Sequence, residues 1–430
     1  MGIYEPKVIK LNEDVAVTGD RALALFPKDD YEKNKNCIKK SIEEGFKKID
    51  YSGKAFRKDE DTLELTVVPT TRCNLKCKYC YADGGEEKKD TSKEVCFNLI
   101  DQLMERYPET SKINLFFTGG GEPLLNFDLI KSVVNYVEDM GLDHYIRIVT
   151  NGTKVKDHLE WLKSKNVNLR VSYDGSSQSI NRPAKEFDSE LRLQETLEAL
   201  EESYSEGLTR VQMTITKSNV ENITEDVLKL IDDYGVISVS LETVHVSGSS
   251  RSQNICPPKP SSFSDEMMRL FKNMVEKDKK AYINTIYLNV PSADYICSMR
   301  NRLVVSPYGL LSSCVEVIEE GLGDKFIIEN KLEEDSNLNF EAIREYQRKN
   351  LFSYHPSSYE GCPQCDLVHI CRGNCPMRTF FGDRKNSPSS YSCKVAKDLI
   401  PRFLEYAADN KEVLNLAFGE EFQKIPININ

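Results

Sequence analysis

The 430 residues carry a formal net charge of −11 at pH 7, and 40% of them are hydrophobic. This length predicts two or three domains with a complete core, and the acidic balance argues against a nucleic-acid partner. We find no run of about 18 apolar residues and no signal peptide, so we expect a cytoplasmic protein without a membrane partner. In that compartment the 13 cysteines are expected to bind metal rather than to form disulfides.

Residues 1–62 are predicted to form a small separate unit. Short strands are expected at 8–11, 15–17 and 22–26, and a charged helix follows at about 31–48. This unit either recognises a substrate or is a plain extension that covers one end of the next domain. Its sequence alone leaves both alternatives open.

From residue 63 the chain alternates strands and helices six times. The strands are predicted at about 63–68, 112–117, 145–150, 168–173, 210–216 and 236–242. The helices are predicted at about 92–107, 127–140, 155–165, 188–205, 220–234 and 262–279. Repeated βα units imply a parallel sheet covered by helices, with its chemistry at the C-terminal ends of the strands. We therefore predict an α/β domain over residues 63–285, with too few units for an eight-stranded barrel.

Three cysteines follow the first predicted strand closely. Cys73, Cys77 and Cys80 have the spacing C-x3-C-x2-C, which is one thiolate short of a closed tetrahedral metal site. A cubane iron–sulfur cluster held by three cysteines keeps one iron open for another ligand. A zinc knuckle and unpaired buried thiols are the alternatives.

Glycines and polar side chains end the next three predicted strands. These segments are Gly119-Gly120-Gly121-Glu122, Asn151-Gly152 and Ser172-Tyr173-Asp174-Gly175, and Arg182 follows the last of them. Glycine at a strand end lets a ligand approach the backbone closely, although ordinary turns favour the same residues. An arginine here can form a forked contact with a carboxylate.

A second set of seven cysteines lies in the last third of the chain. Its members are Cys297, Cys314, Cys362, Cys365, Cys371, Cys375 and Cys393. We predict a cysteine-rich domain over residues 286–395 and a closing helix with a tail over 396–430. The C-x2-C pair taken alone would suit a zinc ribbon equally well.

These motifs together resemble those of radical S-adenosylmethionine (SAM) enzymes with a C-terminal SPASM domain, over about residues 63–395. The resemblance implies a partial (β/α)6 TIM-type barrel and three [4Fe–4S] clusters. Cys73, Cys77 and Cys80 would hold the cluster whose open iron binds SAM. Cys362, Cys365, Cys371 and Cys393 would hold one auxiliary cluster. Cys297, Cys314 and Cys375 would hold the other, with Cys256, substrate or water as its fourth ligand.

The same resemblance implies a set of SAM contacts. They are Tyr79, Gly120, Gly121, Glu122, Asn151, Ser172, Asp174 and Arg182. The sequence has one glycine more than the family's minimal Gly-Gly-Glu motif, so the register is open by one residue. An external donor such as flavodoxin or ferredoxin would reduce the cluster. SAM would then be cleaved to a 5′-deoxyadenosyl radical, which abstracts hydrogen from an unactivated carbon.

SPASM relatives mostly modify peptides. Our first prediction is therefore a maturase that installs a carbon–carbon or thioether cross-link in a ribosomally made precursor peptide, with residues 1–62 as a possible leader-recognition unit. The second is an anaerobic sulfatase-maturing enzyme, which forms formylglycine. That subgroup has an aspartate base directly after the cysteine corresponding to Cys314, whereas this chain has Val315 and then Glu316. On an extended segment Glu316 would point to the opposite face, which predicts a minor catalytic role.

A third alternative belongs to another class of protein. A non-catalytic iron–sulfur carrier or a zinc-binding interaction protein would explain the cysteines. It would not explain the six βα units and the glycine-rich turn.

Overall fold

The computed structural model describes residues 5–20, 22–44, 57–59, 61–83, 88–203, 209–292, 302–321, 323–329, 331–346, 349, 354–380 and 390–419. The strands in these ranges are β1 (Lys7–Lys10), β2 (Asp14–Gly19), β3 (Ala22–Pro27), β4 (Arg57–Asp59), β5 (Thr62–Val67), β6 (Lys112–Phe117), β7 (Asp143–Thr150), β8 (Asn168–Ser172), β9 (Thr209–Ile215), β10 (Ser238–Thr243), β11 (Tyr282–Asn284), β12 (Leu303–Val305), β13 (Leu311–Ser312) and β14 (Ile327–Glu329). The α-helices are α1 (Lys28–Glu44), α2 (Lys93–Arg106), α3 (Phe127–Asp139), α4 (Leu159–Ser164), α5 (Gln178–Asn181), α6 (Ser189–Ser203), α7 (Ile223–Tyr234), α8 (Ser249–Ser252), α9 (Pro260–Glu276), α10 (Phe340–Tyr346), α11 (Val368–Cys371), α12 (Pro376–Phe380), α13 (Ser390–Asp409) and α14 (Val413–Phe418).

The N-terminal unit is an antiparallel sheet in the order β1-β2-β3, followed by α1. Its predicted strands and helix are present, although residues 45–48 of the predicted helix lie outside the described ranges. Val15 and Val17 of β2 pack on Ile38 and Ile42 of α1. Several contacts join the unit to the cysteine-rich region. Thr18 Oγ1 lies 3.1 Å from His369 Nδ1, Lys7 Nζ donates to the carbonyl of Pro363, and Ser292 Oγ donates to Asp20 Oδ1 at 2.8 Å.

The six predicted strands from residue 63 onward form one parallel sheet. β5, β6, β7, β8, β9 and β10 are neighbours in chain order, and each pair is parallel. Helices follow these strands and cover the convex side, which confirms the predicted partial (β/α)6 barrel. The strands begin and end within about two residues of their predicted positions because buried apolar residues alternate along them.

Five short strands extend the sheet beyond the predicted six: β4, β13 and β14 pair antiparallel with their neighbours, and β11 and β12 add in parallel. β11 pairs in parallel with β10, and β12 pairs in parallel with β5 before the chain turns into the antiparallel hairpin of β12 and β13. Each of the two parallel additions is three residues long. A segment this short carries no periodic pattern of its own, so only its hydrogen bonds to a neighbouring strand define it as a strand.

The two faces of the barrel strands differ in polarity. Val171 of β8 is fully buried on the helix side, where Leu193 of α6 approaches it across Gly152. Arg170 and Ser172 alternate with it and therefore lie on the concave side. β9 follows the same pattern, since Val211 and Met213 are core residues and Gln212 lies between them. The concave face of the barrel is therefore polar.

Several helix boundaries differ from prediction. α2 begins at Lys93 with Ser92 as its N-cap, and the hydroxyl of Thr91 donates to the carbonyl of Val68. The closing helix α13 begins at Ser390 rather than near 396, so Cys393 lies in its first turn. In the part of the chain that the structure describes, no helix is long and apolar enough to cross a bilayer.

The C-terminal segments pack directly on the barrel. The rings of Phe271 in α9 and Phe403 in α13 have centroids 5.1 Å apart. Arg378 in α12 donates to Thr243 Oγ1 at the end of β10 and to the hydroxyl of Tyr287. These contacts bring the cysteine-rich segments to the edge where the barrel strands end.

Candidate functional site

The loop with Cys73, Cys77 and Cys80 follows β5 and is held from two sides. On one side, the amides of Gly121 and Glu122 donate to the carbonyls of Thr70 and Arg72 at 2.9 and 2.7 Å. On the other, the amides of Lys76 and Lys78 donate to the carbonyls of Pro183 and Asn181 at 2.8 and 2.9 Å. Both sides are backbone contacts, so the path of the loop depends on the chain segments and only weakly on side-chain rotamers.

The three consecutive glycines are required for two different reasons. Gly119 and Gly120 have φ angles of 82° and 62°, a left-handed conformation that residues with a side chain rarely adopt. Gly121 has no such angle, but a Cβ there would overlap the backbone of Thr71 and Arg72. The extra glycine is therefore part of the contact between the turn and the cysteine loop.

Glu122 is buried and uses its carboxylate to join two strand ends. It accepts hydrogen bonds from Thr150 Oγ1 at 2.7 Å, from the Asn151 amide at 2.7 Å and from the Leu124 amide at 3.1 Å. Burial raises the pKa of Glu122 to about 6, against these hydrogen bonds, which lower it. The carboxylate thus holds the ends of β6 and β7 together, and its expected contact with SAM stays a prediction.

Asn151 contacts the cysteine loop. Its Nδ2 donates to Asn74 Oδ1 at 2.9 Å and lies 3.8 Å from Cys73 Sγ. Thr153 donates to the oxygens of the same two asparagines. The Asn151-Gly152 dipeptide is therefore more than a turn, because it supports the first of the three cysteines.

Asp174, Arg182 and Tyr79 form a buried polar group. Nε of Arg182 lies 3.2 Å from Oδ1 of Asp174, and the side chains are 9% and 0% exposed. The Tyr79 hydroxyl donates to the other carboxylate oxygen, and the Arg182 guanidinium lies 5.2 Å from the centroid of the Tyr79 ring. Burial, together with the Asp174 charge, raises the pKa of Tyr79 well above its ordinary value, although Arg182 lowers it. Arg182 is thus an interior residue already paired with Asp174, and its expected contact with SAM stays a prediction.

Ser172 lies on the concave face two residues before Asp174 and is partly exposed. Its hydroxyl is placed where a bound molecule inside the barrel could reach it. Its expected role toward SAM stays a prediction.

The three thiols of the cysteine loop lie close to one another. The pKa of Cys73 is raised to about 11 and that of Cys77 to about 12, mainly by burial and in part by the neighbouring thiols, although Arg182 lowers that of Cys77. Buried thiolates need a positive charge beside them, which an iron–sulfur cluster provides. Among the described residues no three His, Cys, Asp or Glu side chains converge as a single metal ion requires. A cubane binds each cysteine through a separate iron and has no such requirement.

The second cysteine set also comes together in part. Burial raises the pKa of Cys371, and the charges of Cys362, Cys393 and Cys365 raise it further, which places these four thiols near one another. Cys314 and Cys375 pack against the same small apolar cluster, around Phe326 and Met377. Cys297 lies outside the described residues.

The orientation predicted for Glu316 assumed an extended segment, which the structure does not have. Residues 314–316 form a turn, in which the Val317 amide donates to the Cys314 carbonyl at 3.0 Å, so the extended-segment argument is wrong. Oε2 of Glu316 lies 2.8 Å from Nε2 of His245, which follows β10 at the mouth of the barrel. Burial raises the pKa of Glu316, but the charges of His245 and Arg378 outweigh it and hold that pKa below its ordinary value.

Sequence reasoning missed Tyr81 and His245. The Tyr81 hydroxyl accepts from the Gly120 amide at 3.0 Å and donates to the Val315 carbonyl at 3.2 Å. It therefore joins the cysteine loop, the glycine turn and the segment after Cys314. The one available signal was an aromatic residue directly after Cys80, and its partners are 39 and 234 residues away.

The site and the barrel define a class of enzyme. Residues 67–232 match the profile of the radical SAM superfamily. The uncharacterized protein MJ0907 of Methanocaldococcus jannaschii is 30% identical over 255 residues, which cover 54% of this chain and 84% of that protein. The chain therefore belongs to the radical SAM superfamily. SAM and the [4Fe–4S] cluster of that family are the cofactors that the Cys73, Cys77 and Cys80 loop fits.

Other similar proteins extend beyond the barrel. The radical SAM cyclopropyl synthase TigE of Paramaledivibacter caminithermalis is 23% identical over 384 residues, covering 80% of this chain and 75% of TigE. The SAM-bound structure of anSMEcpe, an anaerobic sulfatase-maturing enzyme, covers 81% of this chain and 99% of its own at a TM-score of 0.65 and 17% identity. The structure of Streptococcus suis SuiB bound to its precursor peptide SuiA covers 90% of this chain and 98% of its own. Its TM-score is 0.56 and its sequence identity is 12%. At these identities the two structures show a shared fold.

Replacing Gly121 with alanine is expected to disrupt the cysteine loop. The new Cβ would overlap the backbone of Thr71 and Arg72, which cannot move aside as a side chain could. We expect the G121A protein, purified without air, to lose most of the iron of the SAM-binding cluster and to unfold at a clearly lower temperature. Gly235→Ala is the control, because Gly235 caps α7 with a φ of 59° and has only a glutamate side-chain carbon nearby. This variant should lose about 1 kcal/mol of its free energy of unfolding and keep its iron. Equal iron contents in the two variants would contradict this role of Gly121.

Replacing Asp174 with asparagine is expected to destabilise the protein strongly. The change leaves the buried Arg182 guanidinium without its counter-charge, which typically costs about 3–5 kcal/mol. Asp157→Asn is the matched control, because the Lys154–Asp157 pair is 39% and 48% exposed and such pairs contribute about 0–1 kcal/mol. Thermal unfolding of both variants without air, and the affinity of each for SAM, measure the difference. Similar unfolding midpoints would show that the buried pair does not hold the loop.

Proposed function

We propose that this protein is a radical SAM/SPASM maturase, which installs a carbon–carbon or thioether cross-link in a ribosomally made precursor peptide. The observation that carries the proposal is the grouping of Cys362, Cys365, Cys371 and Cys393 beside a barrel that holds the Cys73–Cys80 loop. The fold shared with SuiB, solved with its precursor peptide SuiA, supports a peptide substrate.

The residues of the chain have separate tasks in this proposal. When bound, the SAM-binding cluster and SAM would supply the radical that removes hydrogen from the peptide. Asn151 supports Cys73, and Tyr81 fixes the glycine turn relative to the loop after Cys314. The Asp174–Arg182 pair anchors the loop through Tyr79. The surrounding barrel would exclude water from the reacting carbon.

Two auxiliary [4Fe–4S] clusters belong to this proposal. Cys362, Cys365, Cys371 and Cys393 would hold one, and Cys297, Cys314 and Cys375 would hold the other. Cys256 is exposed; its carbonyl accepts from the Lys217 amide, and its thiol lies 3.8 Å from the Asn254 carbonyl. Its local contacts are thus with the barrel loops. This favours substrate or water as the fourth ligand of the second auxiliary cluster.

The N-terminal unit is proposed to recognise the precursor. Within the described residues β3 pairs with β2 alone, which leaves its other edge able to pair with an extended peptide. The unit also contacts the cysteine-rich region through Thr18 and Lys7. A bound leader would therefore lie on the same side of the protein as the auxiliary clusters. An external flavodoxin or ferredoxin would supply the electrons.

Formylglycine formation in a sulfatase is the second candidate. The observation that favours it is Glu316, whose carboxylate lies at the barrel mouth beside His245 and two residues after Cys314. An acid in this neighbourhood could accept a proton from a cysteine or serine substrate. Against it, His245 already binds that carboxylate.

The iron content tests the cofactors. Protein purified without air is expected to contain about twelve irons with matching sulfide, because each cubane holds four. Replacing Cys73, Cys77 and Cys80 together with alanine should leave about eight. Iron analysis and Mössbauer spectroscopy measure both values. Stoichiometric zinc with little iron would contradict the whole proposal, and about four irons would remove the auxiliary clusters from it.

The product formed with a natural peptide separates the two candidates. The peptide is best sought in short reading frames next to the gene, and its product should be two hydrogens lighter and contain no aldehyde. E316Q should slow this reaction by well under the roughly hundred-fold typical of a lost general base. His245→Gln is the matched control and should have a similar effect, because it removes the same ion pair. Formylglycine formed from a sulfatase peptide, and abolished by E316Q alone, would favour the second candidate.

A further inference from the structure

Three arginines share the concave face of the barrel. Arg170 of β8 lies opposite Arg210 of β9 and opposite Val149 of β7. Val149 follows Arg147 by two residues, so the side chains of both lie on the same face of β7. The apolar residues that alternate with them, Ile148 and Val171 among them, are fully buried on the helix side. The three side chains therefore lie on one face of the sheet, on three adjacent strands, in a chain whose net charge is −11.

The Nε atoms of the three arginines lack acceptors within the described part of the chain. Each Nε is buried, whereas each residue as a whole is only partly buried. Arg147 donates to the Tyr145 hydroxyl and lies over the rings of Phe116 and Tyr145 at 5.1 and 5.4 Å. For Arg170 and Arg210, no hydrogen bond or ion pair occurs within the described part of the chain. A buried N–H without an acceptor is costly, so its retention here points to a ligand.

The carboxylates on the same face do not balance these charges. Glu242 of β10 lies 3.7 Å from Arg378 and accepts from the Ile286 amide, and burial raises its pKa to about 7. Glu64 of β5 is buried and lies four strands from Arg210 in the sheet order. Burial and the charges of Arg147 and Arg210 lower the pKa of Arg170 to about 10, against the charges of Glu242 and Tyr145, which raise it. The positive charge around Arg170 is therefore only partly offset.

We propose that Arg147, Arg170 and Arg210 bind a carboxylate of the substrate peptide inside the barrel, so that the enzyme selects an Asp or Glu side chain near the carbon that loses hydrogen. This inference rests on the peptide substrate proposed above. Arg170 lies two residues, about 6.6 Å of strand, before Ser172 and the edge that carries the cysteine loop. If the arginines held an acidic side chain, the backbone of that peptide residue would lie nearer the edge that carries the cysteine loop. Paired guanidiniums match the flat, two-oxygen shape of a carboxylate.

The test measures binding to the holoenzyme with SAM, without air. The probes are two peptides capped at both ends, Ala-Ala-Glu-Ala-Ala and Ala-Ala-Gln-Ala-Ala, together with inorganic pyrophosphate. By calorimetry we expect the Glu peptide to bind at least about tenfold more tightly than the Gln peptide, as a charged hydrogen bond contributes. R170Q and R210Q should each abolish this preference. Arg192→Gln should keep it, because Arg192 is a half-exposed residue of α6 on the outer side of the barrel.

Thermal unfolding of the ligand-free variants supplies a second readout. Because the three guanidiniums repel one another and Nε of Arg170 lacks an acceptor, R170Q is expected to unfold at the same temperature as the wild type or higher. A lower midpoint with the Glu preference intact would assign Arg170 a purely structural role and overturn the proposal.

The remaining outcomes also decide whether the inference and the proposed function hold. Equal binding of both peptides, or no binding of the Glu peptide at millimolar concentration, overturns the inference. If a natural peptide still accelerates 5′-deoxyadenosine formation in that case, the proposed maturase function survives. Arginine-dependent binding of pyrophosphate without binding of the Glu peptide would overturn both, since it indicates a phosphate-bearing small molecule as the substrate.

Discussion

The backbone hydrogen bonds on both sides of the Cys73–Cys80 loop are the constraint on which the rest of this structure depends. The glycine turn holds the start of the loop, and residues 181–184 hold its middle. Three thiols can approach one another only if the chain between them follows a fixed path. That path needs a backbone without side chains at Gly121, where any Cβ would enter the Arg72 carbonyl.

Polar side chains connect this loop to each neighbouring strand end. Glu122 joins β6 to β7, Asn151 reaches from β7 to Cys73, and Asp174 reaches from the end of β8 to Tyr79. The Glu122 contact is buried and the other two are partly buried. Away from water a hydrogen bond to a charged group is stronger than at the surface, and its loss is more costly. The strand ends therefore act as one support for the cluster, and the carboxylates in it serve the protein before any ligand binds.

The cysteine-rich region completes the barrel mouth through a few specific contacts. Tyr81 binds the carbonyl of Val315, Arg378 binds the end of β10, and Glu316 meets His245. These contacts place the segment after Cys314 beside the cysteine loop. Arg147, Arg170 and Arg210 lie on the concave face of the neighbouring strands β7, β8 and β9.

The sequence by itself determined the barrel, and it predicts the ligands. The alternating apolar residues of β5 to β10 predicted the strands closely, because burial against helices requires that period. The cysteine spacings predict which residues would bind iron, because the spacing of neighbouring ligands is a local property. Family resemblance supplied the role of the glycine turn, since three glycines alone also suit an ordinary turn.

Only the tertiary structure decided which distant groups meet. The partners of Tyr81 and Arg378, and the Tyr79 that binds Asp174, lie 39 to 234 residues away, and no periodic pattern records such pairs. The extended segment expected at Glu316 is replaced by a local turn. The three arginines on the concave face have the sequence pattern of ordinary charged residues within strands. Their shared face follows from strand register, which backbone pairing sets and the sequence of one strand cannot show.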